Sequence, residues 1–390
     1  MKIYEIGTGY TPIPAQMGAA TEIVVEELVK AFQKDGADVT LVDIQARERQ
    51  ENNLPIVEVK VPAVFSGTDV KLGVIHKLKR VVYSVSLART LKQILHQSQE
   101  QVILHFHNQY NLYFFYKLVS KKLQKKARIA YTVHSYIWPA AWEEIRDVVR
   151  KRYFQEIYCV RHADHVLVLN QRTAEHFVTH LGVAPEKICH IGNGVNTDVY
   201  HPMRPEMLAK EKAALGLENK KVILQVGSVC DRKNQLGAAE MLTQYLRDHE
   251  DVVYAYAGGI IDPEYQERIM QLAAENGIDK QIRYAGELCP GKQLNAYYNA
   301  ASVTVFPSKL ESFGLVIIES LSAGTPVIMA EKPLFALETG CFVYASKEEY
   351  IRLINELLNA PEKDLQARSE VMEKYSWDKT AKDHIKIWEA

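Results

Sequence analysis

Residues 303–331 read VTVFPSKLESFGLVIIESLSAGTPVIMAE. Val303 to Phe306 form an apolar, β-branched run that reads as a buried strand and stops at Pro307 and Ser308. A polar loop follows. A helix then begins near Gly314 and Leu315 and ends before Gly324 and Pro326, where a second apolar run, PVI, begins. Strand, loop, helix and strand in that order form a βαβ unit, which requires parallel strands.

The same alternation extends in both directions. Toward the N-terminus, strands are expected at 2–7, 38–44, 101–107, 127–133, 165–169 and 187–191, with helices at 19–35, 75–97, 111–126, 141–161 and 171–181. A second series starts at 220, with strands 221–227, 252–257, 281–285, 302–306, 326–329 and 341–344 and helices 234–247, 263–276, 291–300, 315–323 and 346–359. Between the series, residues 193–207, NGVNTDVYHPMRPEM, are rich in Asn, Pro and Gly, lack periodicity and read as a linker. The expectation is an α/β chain of two doubly wound sheets. Domain bounds fall at 1–195 and 196–375. In open parallel sheets ligands bind beyond the carboxyl ends of the strands, and two sheets facing each other across a linker create a cleft, so function belongs in the strand-to-helix loops.

A chain of 390 residues, 47% of them hydrophobic, exceeds one ordinary core and fills two. The opening MKIYEIGTGY has a short apolar run broken by Glu5 and Gly7, too short for a secretory signal. No stretch approaches the roughly 18 to 20 apolar residues that a spanning helix needs, so the chain reads as soluble. Its five cysteines are all at least 30 residues apart, which excludes CxxC motifs and a dense disulfide framework and fits a cytoplasmic setting. Net charge is −1 but unevenly divided: residues 1–195 hold 25 Lys and Arg against 19 Asp and Glu, and the remainder 22 against 29. The basic half is the one to meet an anionic partner, although its charge density is not that of a nucleic-acid binder.

The loop and helix of 307–323 carry two acids in the pattern Glu-x₇-Glu, Glu311 ahead of the helix and Glu319 inside it. An acid among Leu315, Val316, Ile317, Ile318 and Leu321 is costly to bury without hydrogen-bond donors. Sugar and ribose hydroxyls are such donors, and amides at Phe313, Gly314 and Leu315 would favour a phosphate at the helix N-terminus. The blander reading is an acid near the helix dipole and an internal acid paired with an arginine.

The run ESFGLVIIES, with FPS before it and SAGTPVI after it, resembles the signature of glycosyltransferase family 4, the retaining group with the two-domain GT-B fold, two Rossmann-like doubly wound domains facing a central cleft. The resemblance implies that Glu311 bonds the donor sugar and Glu319 the ribose, with Ser312, Phe313, Gly314 and Leu315 also lining the donor. LQVGSVCDRKN, residues 224–234, is similar to the turn whose lysine, here Lys233, holds the donor diphosphate. IGNGVNTDVYHP resembles the family's interdomain segment, and YTVHS resembles the strand that ends in a histidine, here His134, next to the reacting sugar. TPIPAQMGAATE places Gly18 and Ala19 at the family's Gly-rich turn near the donor phosphate. The final helix, 376–390, is expected to pack back on the first domain. Two departures stand out: Ser228 replaces the arginine usual after the phosphate-strand glycine, and AEKPLF replaces the usual Gly-Gly after PVI, which puts donor contacts near 330–336 in question.

The implied reaction moves a sugar from a nucleotide-diphosphate sugar, a UDP- or GDP-sugar, to an acceptor hydroxyl. The departing diphosphate needs a metal or cationic groups. No two aspartates lie two apart, so no Asp-x-Asp metal motif exists, and no metal or other cofactor is expected; Arg232 and Lys233 are the expected clamp. His105 and His107 share a strand face, and with no third ligand type nearby in sequence they read as structural. Acceptors compatible with the chain are a saccharide, a lipid-linked saccharide or a small polyol. Helix 111–126, with Lys117, Lys121, Lys122, Lys125 and Lys126 among aromatics, is compatible with peripheral contact on an anionic membrane face or with a solvated surface. Two competing readings are a weak or inactive nucleotide-sugar-binding relative and a dinucleotide-dependent dehydrogenase; the latter is opposed by Pro12, which stands where the third glycine of GxGxxG belongs.

Overall fold

The computed structural model describes residues 1–14, 20–46, 49, 52–65, 74–330, 337, 339–360 and 365–390. The chain divides into two compact units, Met1–Gly194 with Trp377–Ala390, and Val195–Ser376. Among the described residues the first unit holds seven strands: β1 (Lys2–Ile6), β2 (Asp38–Ile44), β3 (Ile56–Val59), β4 (Val102–Phe106), β5 (Ala127–Val133), β6 (His165–Val168) and β7 (Ile188–His190). They form one sheet in the order β3-β2-β1-β4-β5-β6-β7, parallel throughout. The second unit holds β8 (Lys221–Val226), β9 (Val252–Ala257), β10 (Ile282–Tyr284), β11 (Val303–Phe306), β12 (Val327–Met329) and β13 (Cys341–Val343) in the parallel order β10-β9-β8-β11-β12-β13. Both are Rossmann-like doubly wound sheets. The strand order reverses between β1 and β4 and between β8 and β11, and at such switch points the loops leaving the strand ends part to leave a crevice.

The sequence explains the burial. All residues of β4 (VILHF) and β9 (VVYAYA) are buried, as parallel strands covered by helices on both faces require. Ile6, Leu104, Phe106, Tyr131 and Val166 centre the first core, and Ile223, Tyr254, Val303, Val305 and Ile328 the second. The last helix, Trp377–Glu389, belongs to the first unit and packs on helix Ala20–Lys34, with the Phe32 and Trp388 rings 5.2 Å apart. Among the described residues no helix is long and apolar enough to cross a membrane.

Several elements differ from the sequence expectations. Strand β3 is half-exposed, four residues long and preceded by Pro55, too weak a pattern to stand out. The expected helix 111–126 is two pieces, Gln109–Leu118 and Lys121–Gln124, because Val119 turns extended; Gln124 Nε2 donates to the carbonyls of Tyr116 and Val119 freed at the break. The expected helix 141–161 likewise parts at Tyr153 into Trp142–Arg152 and Phe154–His162. Helix Pro205–Ala214 begins inside the expected linker, with Pro205 suited to its first turn, and helix Leu365–Lys374 was not anticipated.

The rest of the expected linker is fastened down. Asn295 and Asn299 side chains accept from the His201 and Met203 amides, and Arg368 Nη1 donates to the Tyr200 carbonyl at 3.0 Å. Val195 forms a parallel bridge with Ser376, its amide donating to the Tyr375 carbonyl at 2.7 Å.

Candidate functional site

At the switch point of the second unit, β8 runs into a turn bearing Arg232 and Lys233, and β11 into the loop bearing Glu311. Gly227 has φ of +150°, and a Cβ there would lie 3.1 Å from the Lys233 side chain, so the lysine stem runs back across the glycine. Buried Gln225 donates to the Lys233 carbonyl at 2.7 Å and accepts from Tyr254 Oη at 2.6 Å, while Gln235 Nε2 donates to the Ser228 carbonyl at 3.0 Å. The turn is thereby built rigid from beneath.

The two cations converge on one carboxylate. Arg232 Nη1 donates to Glu311 Oε1 at 2.8 Å and to the Leu310 carbonyl at 3.0 Å, and Lys233 Nζ donates to the same Glu311 oxygen at 2.5 Å. Lys233 is only 9% exposed. Burial pulls its pKa down, opposed by Glu311, with Arg232 adding to the lowering. Ser228, which follows Gly227 at the head of this turn, has no charge to offer.

Helix Leu315–Ser322 starts behind that loop. Its cap, Gly314, has φ of +99° and no side chain to accept from the first-turn amides, and a Cβ there would press to 2.9 Å on Ile317. Ser320 Oγ donates to Thr304 Oγ1 of β11 at 2.7 Å, pinning the helix to its strand. The Phe313 ring is in the core, edge-on to Tyr375, so what Phe313 offers a ligand is its backbone. Glu319 is half-buried and accepts from Tyr298 Oη at 2.9 Å; burial raises its pKa to about 7 against the hydroxyls of Tyr298 and Tyr200. Tyr200 reaches it from the fastened linker. Glu319 thus pairs with tyrosines, not with the arginine of the blander reading.

In the first unit the loop after β1 is tied to its surroundings: Tyr83 Oη and Asn111 Nδ2 donate to the Gly7 carbonyl, Lys79 Nζ to Tyr10 O, and Ile13 N to buried Asp43. Gly18 and Ala19 lie outside the described residues, as do residues 331–336 of the stretch that replaces the usual Gly-Gly. His134 follows β5, half-buried, and its Nε2 lies 3.0 Å from His107 Nδ1. His105 and His107 do have a carboxylate neighbour, contrary to the sequence expectation. Strand register sets Glu5 of β1 directly beside His105 of β4, and Glu5, His105 and His107 place one ligand-type atom each within 4.8 Å of one another. Glu5 is 100 and 102 positions from the two histidines in the chain, so only the register reveals the cluster. All of its ring nitrogens and carboxylate oxygens are already engaged in hydrogen bonds.

Residues 21–199 match the model described as "Glycosyltransferase Family 4", and residues 209–373 the model "Glycosyl transferases group 1". The chain belongs to glycosyltransferase family 4. Relatives of this family 4 member include a D-inositol 3-phosphate glycosyltransferase of Streptomyces bingchenggensis, 35% identical over 43% of this chain and 38% of that protein. One from Streptomyces scabiei is 30% identical over 61% of this chain and 56% of its own length. The chain therefore spans well under two thirds of these relatives. Among solved structures, sucrose-phosphate synthase from Thermosynechococcus elongatus superposes with a TM-score of 0.77 at 20% identity, covering 100% of this chain and 98% of that one. Anabaena HepE in complex with UDP and glucose superposes with a TM-score of 0.74 at 15% identity over 100% of both chains. The family 4 chain therefore has the GT-B fold.

Proposed function

We propose that the protein is a retaining glycosyltransferase that moves a sugar from a UDP- or GDP-sugar, held by the second unit, to an acceptor hydroxyl presented by the first. The observation that carries this reading is the convergence of Arg232 and Lys233 at the β8–β11 switch point beside the uncapped helix start at Gly314. Two cations and first-turn amides suit a diphosphate. Glu319, with its pKa near that of a proton-sharing acid, suits ribose hydroxyls, and Glu311 suits the hydroxyls of the transferred sugar. In this mechanism the bond from the anomeric carbon to the phosphate oxygen breaks, a bond to the acceptor oxygen forms on the same face, and the acceptor proton passes to the departing phosphate. The cations stabilise the charge that builds on that phosphate. No divalent ion is needed in this scheme.

HepE was solved with UDP and glucose, which supports a UDP-sugar donor, and the names of the actinobacterial relatives support a small polyol acceptor such as a phosphorylated cyclitol. A lipid-linked saccharide is the other acceptor class. Exposed Lys121, Lys122 and Lys125 support peripheral contact with an anionic membrane face, whereas Lys117 lies over the Tyr158 ring at 4.1 Å and Lys126 Nζ donates to Ser98 O. The test is calorimetry with UDP, GDP and ADP, followed by nucleoside diphosphate release from the matching sugars with and without myo-inositol phosphate. Binding with acceptor-stimulated release supports the reading; binding without any turnover makes the protein an inactive relative.

A further inference from the structure

Glu5, His107 and His134 are joined end to end, and the geometry points to a positioning role for the line: we infer that Glu5 and His107 fix the tautomer of His134 and hold its Nδ1 as a hydrogen-bond acceptor. The inference rests on the proposed reading in which His134 stands beside the reacting sugar. Glu5 Oε1 lies 2.9 Å from His105 Nδ1 and Oε2 lies 2.8 Å from His107 Nε2. A carboxylate only accepts, so both ring nitrogens carry protons. His105 Nε2 then accepts from Thr132 Oγ1 at 2.7 Å, and the His105 ring is accounted for.

His107 has spent its Nε2 proton on Glu5. Its Nδ1 is therefore a lone pair in the neutral ring, and the contact at 3.0 Å requires His134 Nε2 to donate. That leaves His134 Nδ1 without a proton and, among the described residues, without a protein partner. The surroundings favour neutral rings. Burial lowers the His107 pKa to about 4 and that of His134 well below its usual value, while burial of Glu5 is outweighed by the two imidazoles, which hold its acid at about 2. The other groups packed against the line are His384, its Nδ1 engaged by the Thr380 carbonyl at 2.8 Å, and the Trp388 ring; neither supplies a charge. Every hydrogen bond in the network thus runs one way, toward a single buried anion. A sugar hydroxyl that meets His134 finds an acceptor already oriented, and the tautomer that offered an N–H instead would set two lone pairs face to face, either at His134–His107 or at His107–Glu5.

The test is ¹⁵N NMR of the full-length protein with labelled histidine, in which bare and protonated ring nitrogens resonate far apart, His107 and His134 being assigned from His107→Asn and His134→Gln. Wild type is expected to show bare Nδ1 and protonated Nε2 in both rings near neutral pH; a protonated Nδ1 in either overturns the inference. In His107→Asn the amide oxygen replaces the Nδ1 lone pair, so the His134 pattern and kcat stay close to the parent's. In His107→Leu nothing accepts from His134, its pattern becomes mixed, and kcat falls roughly tenfold or more with donor KM little changed. If His107→Leu melts early yet keeps kcat and the His134 pattern, the line is merely structural and the inference fails. If no nucleotide sugar is turned over at all, the functional reading fails while the spectra still decide the tautomers.

Discussion

Glu311 and Lys233 meet at 2.5 Å, and the carboxylate oxygen they share is the one Arg232 also bonds. The Glu311 carboxylate occupies the two cations that the proposed function assigns to a diphosphate. In that reading Glu311 exchanges partners on donor binding, from cations to sugar hydroxyls. Glu311→Gln removes the competing charge, and the expected outcome is undiminished or tighter binding of free nucleoside diphosphate together with a turnover loss of at least about 10²-fold. Calorimetry and release kinetics check both halves.

In the proposed reading Arg232 supplies the guanidinium that the family's usual arginine, replaced here by Ser228, would give. A charge-assisted phosphate contact is worth roughly 1.5 to 3 kcal/mol. Arg232→Ala should therefore weaken diphosphate binding about tenfold or more, comparably with Lys233→Ala, and the loss should shrink at high salt. If Arg232→Ala binds as the parent does while Ser228→Arg tightens binding, Arg232 is a bystander.

If Glu319 bonds the ribose as proposed, nucleotide affinity depends on pH. Its pKa in the free protein is raised to about 7 by burial. Ribose hydroxyls bond the ionised form, so binding lowers that pKa and releases a proton. Affinity should be full above pH 7 and decline as pH falls through it, with proton release seen as buffer-dependent heat. Glu319→Gln should bind more weakly and lose this dependence; a dependence that survives the substitution belongs to another group.

Chelator-treated enzyme should keep most of its transfer rate, since Arg232 and Lys233 carry the charge that an ion would otherwise carry. Complete loss, restored by Mg²⁺ or Mn²⁺, would refute this.

Gly314→Ala tests the helix start directly. The residue has φ of +99° with Ile317 only 2.9 Å from where the Cβ would lie. Strain of this kind costs about 1 to 3 kcal/mol, read as a lower Tm and weaker diphosphate binding together.

What the sequence revealed and what it hid follow a physical line. The fully buried strands β4, β9, β11 and β12 were legible because parallel strands covered on both faces carry near-continuous apolar runs. β3 was not, being half-exposed with Glu58 inside it and Pro55 before it, nor was the split at Val119, where a side-chain amide, not a glycine or proline, accommodates the break. In the site, Glu311, Glu319, Arg232 and Lys233 were visible because each pair is close in sequence. Glu5, Tyr200, Tyr298, Gln225 and Gln235 were not: they act through register and tertiary contact, as when Glu5 meets His105 only because β1 lies beside β4. Polar residues inside strands were the available signal, and Glu5 and Gln225 both gave it.

The bridge between Val195 and Ser376 gives the molecule a modular character. The chain enters and leaves the second unit at neighbouring points, and on the first unit's side Gly194 abuts Trp377 so tightly that a Cβ would lie 2.8 Å from the tryptophan Cα. The second unit is thus an insertion in one loop of the first, with its ends side by side. Such an insertion can be cut out at the level of the gene and its gap closed by a short linker, which would part the second unit from the remaining scaffold at these two seams.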